Sequence, residues 1–291
     1  MVQRIGVIGA GQMGLGIAHV AAMTGYDVIL FDVSKDQLSV AEEKITANLS
    51  RQVKKSVLSE QDKELTLGRL VTNNKMDGLK NCDLVIEAVS ENSEVKKSIF
   101  SELGKILKPE GLIASNTSSI SITDLASTTG RPEKFMGMHF INPVPIMPLV
   151  ELIPGIATDV SVYDIIRGVT IKMGKTPVKS KDYPGFIINR ILMPMINEAV
   201  FTVYEGVANI EDVDAGMKLG TNQPMGPLQL ADFIGLDTCL AIMKVLSNGF
   251  KDSKFRPCPL LEKYVEAGWL GRKTQKGFYD YGSEKPTANP Y

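Results

Sequence analysis

The feature that most constrains the fold is a glycine-rich turn close to the start of the chain. A short apolar run, Arg4–Ile8, ends at Gly9-x-Gly11-x-x-Gly14, after which apolar residues recur at helical spacing. A second strand-like run, Asp27–Asp32, follows and ends on an acidic residue. A strand, a glycine turn, a helix and a second strand in about 30 residues form a βαβ unit, which belongs to doubly wound sheets.

This turn, at the start of a helix, predicts a dinucleotide-binding site. The first glycine allows the tight turn, the second lets a pyrophosphate approach the backbone, and the third allows close packing of helix on strand. The carboxylate of Asp32 can accept hydrogen bonds from an adenosine ribose and would repel a 2′-phosphate, so the sequence favours NAD over NADP. The predicted cofactor-binding residues here are Gly9, Ala10, Gly11, Gln12, Met13, Gly14 and Asp32.

The remaining pattern predicts two domains. Strands alternate with helices up to a turn-rich segment at 182–185. After it, helical patterns run as far as Ala267, and no strand-like alternation appears until Gly277–Tyr281. We therefore expect an N-terminal Rossmann-like α/β domain over 1–183 and an all-α C-terminal domain over 184–291. The further predicted strands are Asp83–Val89, Gly111–Ser115, Phe135–His139, Val150–Ile153 and Thr176–Ser180.

A polar helical excursion interrupts the first domain. Helical patterns cover Ser34–Lys55 and Ser59–Leu70 before the next predicted strand. The sheet does not need them as a cover, so we expect this excursion to project outward and contact a ligand; the alternative is a solvated hairpin. In the C-terminal part, Gly226–Ser247 reads as one long helix.

Composition excludes several classes of function. With 33 acidic and 32 basic residues the net charge is −1, which is unlike a nucleic-acid-binding protein. Three cysteines and two histidines share no metal-ligand spacing, so we expect no metal site. We find no targeting segment and no apolar stretch of about 18 residues, and therefore expect a soluble cytoplasmic protein without membrane contact.

One histidine stands where the chemistry should occur. Oxidation of an alcohol needs a group that takes the hydroxyl proton, and histidine suits this because its ordinary pKa lies near 6.5. His139 ends a predicted strand, at the sheet edge where ligands bind. His19 lies within the first helix and is better explained as a packing or capping residue. Glu151, in the apolar run Leu149-Val-Glu-Leu-Ile, needs a partner if buried, and the turn after Asn142 could bring it to His139.

The same region carries a resemblance to a known family. Met136-Gly-Met-His-Phe-Ile-Asn-Pro-Val-Pro-Ile-Met-Pro-Leu-Val-Glu resembles the signature of L-3-hydroxyacyl-CoA dehydrogenases, especially the short bacterial 3-hydroxybutyryl-CoA dehydrogenases. Further motifs fall in family order along essentially the whole chain: Val85-Ile-Glu-Ala-Val with Glu91, Ser115-Asn-Thr-Ser-Ser, Pro184-Gly-Phe-Ile-Ile-Asn-Arg190 and Gly271-Arg-Lys-Thr.

The resemblance implies roles for individual residues. His139 would be the general base and Glu151 its orienting partner, while Ser118 and Asn189 would hydrogen-bond the substrate's 3-oxygen or hold the imidazole in register. Asn142 would support the same pocket. Further family matches imply contacts with the nicotinamide half of NAD for Glu91, Lys96 and Lys273, and with the CoA moiety of the substrate for Asn48, Lys54 and Lys55.

Three functional hypotheses follow, in order of preference. The first is NAD-dependent oxidation of short-chain (S)-3-hydroxyacyl-CoA thioesters. The second is a dehydrogenase of free hydroxy or sugar acids on the same scaffold, as in the L-gulonate dehydrogenases, which need no CoA site. The third is a non-catalytic protein similar to lens λ-crystallins, which the presence of His139, Glu151, Ser118 and Asn189 disfavours.

The C-terminal helices also predict a homodimer. They carry more apolar stripes than a domain of about 110 residues should bury alone, and exposed stripes usually mark an interface. The family resemblance points the same way. The stripes include Ile187, Ile188, Ile191, Leu192, Leu228, Leu230, Phe233, Ile234, Leu236, Leu240, Ile242, Met243 and Leu246.

Overall fold

The computed structural model describes residues 2–289 and divides into two compact units, 1–186 and 187–291. The first unit is built on an 8-stranded sheet, whose strands are β1 (Arg4–Ile8), β2 (Asp27–Phe31), β3 (Leu70–Asn73), β4 (Leu84–Glu87), β5 (Leu112–Ser115), β6 (Phe135–Phe140), β7 (Leu149–Pro154) and β8 (Thr176–Lys179). Their order in the sheet is β3-β2-β1-β4-β5-β6-β7-β8.

Helices cover both faces of this sheet. They are α1 (Gln12–Met23), α2 (Lys35–Lys54), α3 (Glu60–Gly68), α4 (Ser93–Ile106), α5 (Ile122–Ser127) and α6 (Val160–Lys172). One apolar core joins α1, α2 and α6 to the sheet, and a second core joins α4 and α5 to the opposite face. This confirms the doubly wound α/β class.

The direction of one strand positions the chemistry. Strands β1 to β6 run parallel, whereas β7 pairs antiparallel with β6 in a register that sets His139 opposite Glu151. Residues directly opposite each other in an antiparallel pair extend their side chains from the same face of the sheet. The chain reverses through residues 141–148, which join the two strands.

The sequence analysis does not predict one strand of the 8-stranded sheet. The helix expected over Ser59–Leu70 ends at Gly68, and Leu70 begins β3, which pairs with β2 alone at the edge of the sheet. Its residues are at best half-buried, and Val71 is exposed. An edge strand of this kind needs neither an apolar run nor strict alternation, so periodicity gave no signal for it.

The second unit is mainly helical, as expected. Helices α7 (Ile188–Tyr204), α8 (Ile210–Gly220), α9 (Pro227–Ile234), α10 (Leu236–Phe250) and α11 (Pro259–Glu266) enclose its core, and β9 (Tyr279–Asp280) pairs with β10 (Thr287–Ala288). The single helix expected over Gly226–Ser247 is wrong. Gly235 has a φ of 104°, which ends α9 and starts α10 in a new direction.

Most of the apolar stripes of this unit are buried within it, so the expectation that a domain of this size cannot enclose them is wrong. Six of the residues named for them lie in the unit's own core: Leu228, Leu236, Leu240, Ile242, Met243 and Leu246. Ile191 and Phe233 remain exposed. The expectation fails because five helices and a hairpin packed together bury more apolar side chains than the pattern of each helix taken separately suggests.

Two buried carboxylates tie the second unit together. Asp232 accepts hydrogen bonds from the backbone N–H groups of Phe278 and Tyr279 and from the Tyr281 hydroxyl. Asp214 accepts from the N–H groups that begin α9 and from the Tyr279 hydroxyl. Burial raises the pKa of Asp232 to about 6 in spite of these donors.

No helix within residues 2–289 has the length and apolar character needed to span a membrane.

Candidate active site

The centre of the candidate site is the pair of His139 on β6 and Glu151 on β7. The Nδ1 atom of His139 lies 2.7 Å from the Oε2 atom of Glu151. His139 is 7% exposed and Glu151 is fully buried. Because Glu151 occupies Nδ1, Nε2 is the ring atom that can exchange a proton with a substrate. The Phe186 ring packs beside the imidazole at a centroid distance of 5.8 Å.

The loop that joins these strands also reaches the glycine-rich turn. The Nε2 atom of Gln12 donates to the Oδ1 atom of Asn142 at 3.1 Å. The side chain of Asn116 accepts the backbone N–H of Phe140, which directly follows His139. Hydrogen bonds at Phe140 and Asn142 thus fix the chain directly after His139 against other parts of the same unit.

Glu91 organises the turn that carries Ser118. Its Oε1 atom accepts hydrogen bonds from the N–H groups of Ser118 and Ser119 and from the hydroxyls of Thr117, Ser118 and Ser119, at 2.6 to 3.3 Å. Burial alone would raise the pKa of Glu91, but the nearby Lys96 ammonium and these hydrogen bonds lower it below its ordinary value. A carboxylate that accepts so many donors stays ionised and fixes the backbone of the turn.

Lys96 lies behind this turn. Its Nζ atom is 2.6 Å from Glu87 and 3.4 Å from Glu91, and the side chain is 1% exposed. Glu87 also accepts the hydroxyl of Ser115 at 2.6 Å. Two carboxylates therefore enclose the ammonium, which would contact a nicotinamide group only after some rearrangement of these ion pairs.

Sequence reasoning missed Glu87. The sequence does contain a signal for it, because an acidic residue at the end of the apolar run Leu84-Val-Ile-Glu87 needs a polar partner if it is buried, as Glu151 does in its strand. In the structure these partners are Lys96 and Ser115.

The glycine-rich turn has the geometry that a dinucleotide needs. Gly9 has a φ of 100°, and a side chain at Gly14 would overlap the carbonyl oxygen of Gly9. A Cβ atom at Gly11 would meet nothing within 4 Å, so this position leaves an open cradle before α1. Backbone N–H groups at the start of a helix suit a phosphate.

Asp32 lines a cavity of about 770 Å³. Its two oxygens accept the N–H groups of Ala10 at 2.8 Å and Ser34 at 2.9 Å. A carboxylate has about four lone-pair positions, so two remain for the hydroxyls of a ribose. The cavity is lined by Gly9, Gly11, Phe31, Val33, Met76, Val89, Val95 and Ile99, among others, whose apolar side chains suit an adenine ring. The residues present therefore fit an adenine dinucleotide.

The residues expected to meet CoA lie along α2. Asn48 accepts a hydrogen bond from Gln52, one turn further along the helix, at 2.9 Å. Lys54 and Lys55 end this helix as exposed side chains. The first part of α2 packs on the core through Leu38 and Ala41, and Ile45 and Leu49 further along the helix are also buried.

Asn189 and Lys273 belong to the second unit. Asn189 is buried in the first turn of α7. Lys273 forms an ion pair with Asp237 at 2.5 Å. Within the first unit, in contrast, His139, Glu151 and Asn142 share one strand pair and its loop. Glu91, in the loop after β4, accepts hydrogen bonds from the turn after β5 that carries Ser118.

Family models match both parts of the chain. Residues 4–183 match the 3-hydroxyacyl-CoA dehydrogenase NAD binding domain, and residues 185–281 match the C-terminal domain of the same enzymes.

Individual proteins agree with this match over nearly the whole chain. A 3-hydroxybutyryl-CoA dehydrogenase of Bradyrhizobium diazoefficiens is 61% identical, with 98% of both chains covered. One from Clostridioides difficile is 45% identical, with 96% of this chain and 99% of the relative covered. The crystal structure of (S)-3-hydroxybutyryl-CoA dehydrogenase from Ralstonia eutropha is 46% identical, covers 97% of this chain and 100% of its own, and superposes with a TM-score of 0.95. The chain therefore belongs to the 3-hydroxyacyl-CoA dehydrogenase family and carries its NAD-binding domain.

Proposed function

We propose that this protein oxidises short-chain (S)-3-hydroxyacyl-CoA thioesters, such as 3-hydroxybutyryl-CoA, to 3-ketoacyl-CoA with NAD⁺, and that it also runs the reverse reaction. The observation that carries the proposal is the buried pair of His139 and Glu151, with 2.7 Å between Nδ1 and Oε2. The relatives named above act on this class of substrate, which supports the same substrate class for this chain.

In the oxidation direction His139 is the general base. Its Nε2 atom takes the proton of the 3-hydroxyl group, and the carboxylate of Glu151 stabilises the imidazolium that forms. NAD⁺, when bound, supplies the acceptor for the hydride that leaves C3. In the reverse direction the same imidazolium returns the proton to the carbonyl oxygen.

The other site residues bind and orient. Ser118 and Asn189 hydrogen-bond the 3-oxygen, and Asn142 supports the pocket beside His139. Asp32 with Gly9, Ala10, Gly11, Gln12, Met13 and Gly14 binds the adenosine and pyrophosphate of NAD, while Glu91, Lys96 and Lys273 act toward its nicotinamide half. Asn48, Lys54 and Lys55 contact CoA, whose phosphates suit two exposed cations.

We assign NAD binding to residues 1–183, and substrate binding and dimerisation to residues 184–291. The exposed apolar side chains of Ile191 and Phe233 in the second unit support a contact surface of this kind. A symmetric dimer would present the same surface from each chain. The three cysteines are free thiols, which agrees with a cytoplasmic setting.

The test of the proposed function compares three substrates in NADH oxidation assays: acetoacetyl-CoA, a longer 3-ketoacyl-CoA and free acetoacetate. We expect kcat/KM for acetoacetyl-CoA to exceed that for acetoacetate by at least about 100-fold, because binding energy from the CoA part is lost in the free acid. Equal turnover of the free acid would contradict the proposal and favour a hydroxy-acid dehydrogenase.

A further inference from the structure

Lys175 is a buried lysine that the proposed reaction does not use. It lies between α6 and β8, is 8% exposed, and has no carboxylate within 4.0 Å of its ammonium among residues 2–289. Burial lowers its pKa below the ordinary lysine value. A buried cation without an anionic partner costs free energy, and an apolar side chain of similar size would often be more stable. Its presence therefore needs another reason.

The ammonium is aimed at the loop that joins β6 to β7. Nζ donates hydrogen bonds to the carbonyl oxygens of Val144 at 2.5 Å and Met147 at 2.8 Å. The backbone N–H of the next residue, Thr176, donates to the carbonyl of Pro148 at 2.7 Å. Lys175 and Thr176 thus hold the loop at three carbonyl groups.

The opposite side of this loop rests on the dinucleotide-binding helix. Val144 is buried, and a Cβ atom placed on Gly16 of α1 would lie only 2.9 Å from the Val144 Cβ atom. Asn142 accepts its hydrogen bond from Gln12 at the start of the same helix. The loop is therefore held between α1 on one side and Lys175 on the other.

The position of this loop matters because it sets the geometry of the site. It carries Asn142 and reverses the chain so that Glu151 returns opposite His139. Catalytic geometry is sensitive, since a displacement of about 1 Å can cost about 100-fold in rate. Within the loop, Pro143 accepts the N–H groups of Ile146 and Met147, whereas Lys175 supplies side-chain donors from outside it.

From this arrangement we infer that Lys175 is a positioning residue for the dehydrogenase reaction: its ammonium fixes the loop 141–148 and thereby the alignment of Asn142 and the His139–Glu151 pair. The inference rests on the proposed function for its kinetic consequence. The structural part, that Lys175 holds the loop, stands independently of any substrate.

The test uses Lys175→Met, which keeps the length of the side chain and removes the donors. Lys172→Met is the matched control, because Lys172 ends α6 nearby, is exposed, and points its ammonium at the Tyr26 ring. Hydrogen exchange of the peptide that spans residues 141–149 reports the loop directly. We expect exchange about tenfold faster in Lys175→Met and unchanged exchange in the control.

Kinetics supply the second readout. For acetoacetyl-CoA reduction we expect kcat of Lys175→Met to fall by about tenfold or more, with KM for NADH within about twofold and no loss of thermal stability. Lys175→Arg keeps the charge and the donors, and should restore slow exchange and most of kcat. If Lys175→Met does not fold, Lys175→Arg still tests the inference. Fast exchange and a low kcat in Lys175→Arg would overturn it.

The outcomes separate the two claims. Absence of any NADH oxidation in the parent protein contradicts the proposed function and leaves the exchange measurement able to test the loop. Unchanged exchange in Lys175→Met overturns the role of Lys175 even if the parent is fully active. Faster exchange with unchanged kcat shows that the reaction tolerates a loose loop, and also overturns the inference.

Discussion

Replacement of Glu151 by glutamine isolates the contribution of the buried charge beside His139. Glutamine is nearly isosteric and can still accept a hydrogen bond from Nδ1, so the orientation of the imidazole is retained. It lacks the negative charge that stabilises the imidazolium formed when the substrate hydroxyl loses its proton. The variant therefore measures electrostatic stabilisation rather than geometry.

The size of the effect follows from the contact. With 2.7 Å between Nδ1 and Oε2, the centres of the two charged groups lie ~4 Å apart. Unit charges at that distance interact by about 4 kcal/mol at an effective dielectric of ~20. Since each ~1.4 kcal/mol changes a rate tenfold, we expect kcat for (S)-3-hydroxybutyryl-CoA oxidation to fall by about 10² to 10³.

The assay is steady-state NADH formation at saturating substrate and NAD⁺. KM for NAD⁺ should stay within about twofold, because the pair lies on β6 and β7, whereas the glycine-rich turn that we propose as the dinucleotide site follows β1. Glu151→Asp is the matched variant: it keeps the charge but shortens its reach, and should lose less activity than the glutamine variant. A Glu151→Gln enzyme within about threefold of the parent would refute the electrostatic role, as would a larger loss in Glu151→Asp.

Further predictions concern the cofactor, stability and assembly. The parent should prefer NADH to NADPH by about 100-fold or more, since a phosphate ~4 Å from Asp32 costs a few kcal/mol, and Asp32→Ser should narrow the ratio; equal kcat/KM in the parent would contradict this. Burial lowers the pKa of His19 to about 4, so the unfolded chain binds more protons between pH 6.5 and 4 and stability falls with falling pH, by up to about 3 kcal/mol. Urea unfolding at several pH values measures the free energy of unfolding, and in His19→Gln its decrease with falling pH should be smaller by this amount. A pH profile identical to that of the parent would contradict the prediction. Asp232 acts oppositely, because its raised pKa of about 6 makes the folded state bind the proton, and stability rises by up to about 3 kcal/mol as pH falls from 6 towards 4; Asp232→Asn should abolish that rise. Light scattering at micromolar concentration should give the mass of a dimer, and a mass of 31.7 kDa would reject the dimer. Ile191→Asp tests whether the dimer forms through the surface that carries Ile191, because this residue is exposed and a charge there does not disturb the core.

The parts of the fold that the sequence predicts well are those in which one residue type meets a strict steric or polar demand. The glycine turn is such a case, since Gly9 and Gly14 stand where a side chain would strain or overlap the backbone. The contact between His139 and Glu151 is another such case. A carboxylate in an apolar strand needs a polar partner, and the sequence offers few candidates for one. The catalytic role of that pair stays a prediction.

Other features depend on tertiary context that no local pattern carries. Strand β3 owes its place to the free edge of β2, and the break at Gly235 turns a helical pattern into two helices. The partners of Lys175 are backbone carbonyls 28 and 31 residues away, which leave no complementary side chain to find in the sequence. Burial of Leu236 and Leu240 likewise depends on which helices pack together.

Transfer of deuterium from NADH to the CoA product directly tests whether this protein transfers a hydride with His139 as its acid–base group. The protein is mixed with acetoacetyl-CoA and NADH that carries deuterium at both C4 positions, and the CoA product is examined by mass spectrometry and against authentic (S)-3-hydroxybutyryl-CoA. We predict one deuterium at C3 of the (S) product, formed by the parent about 10² to 10⁴ times faster than by His139→Ala. A product without deuterium, or a His139→Ala variant as fast as the parent, would contradict it.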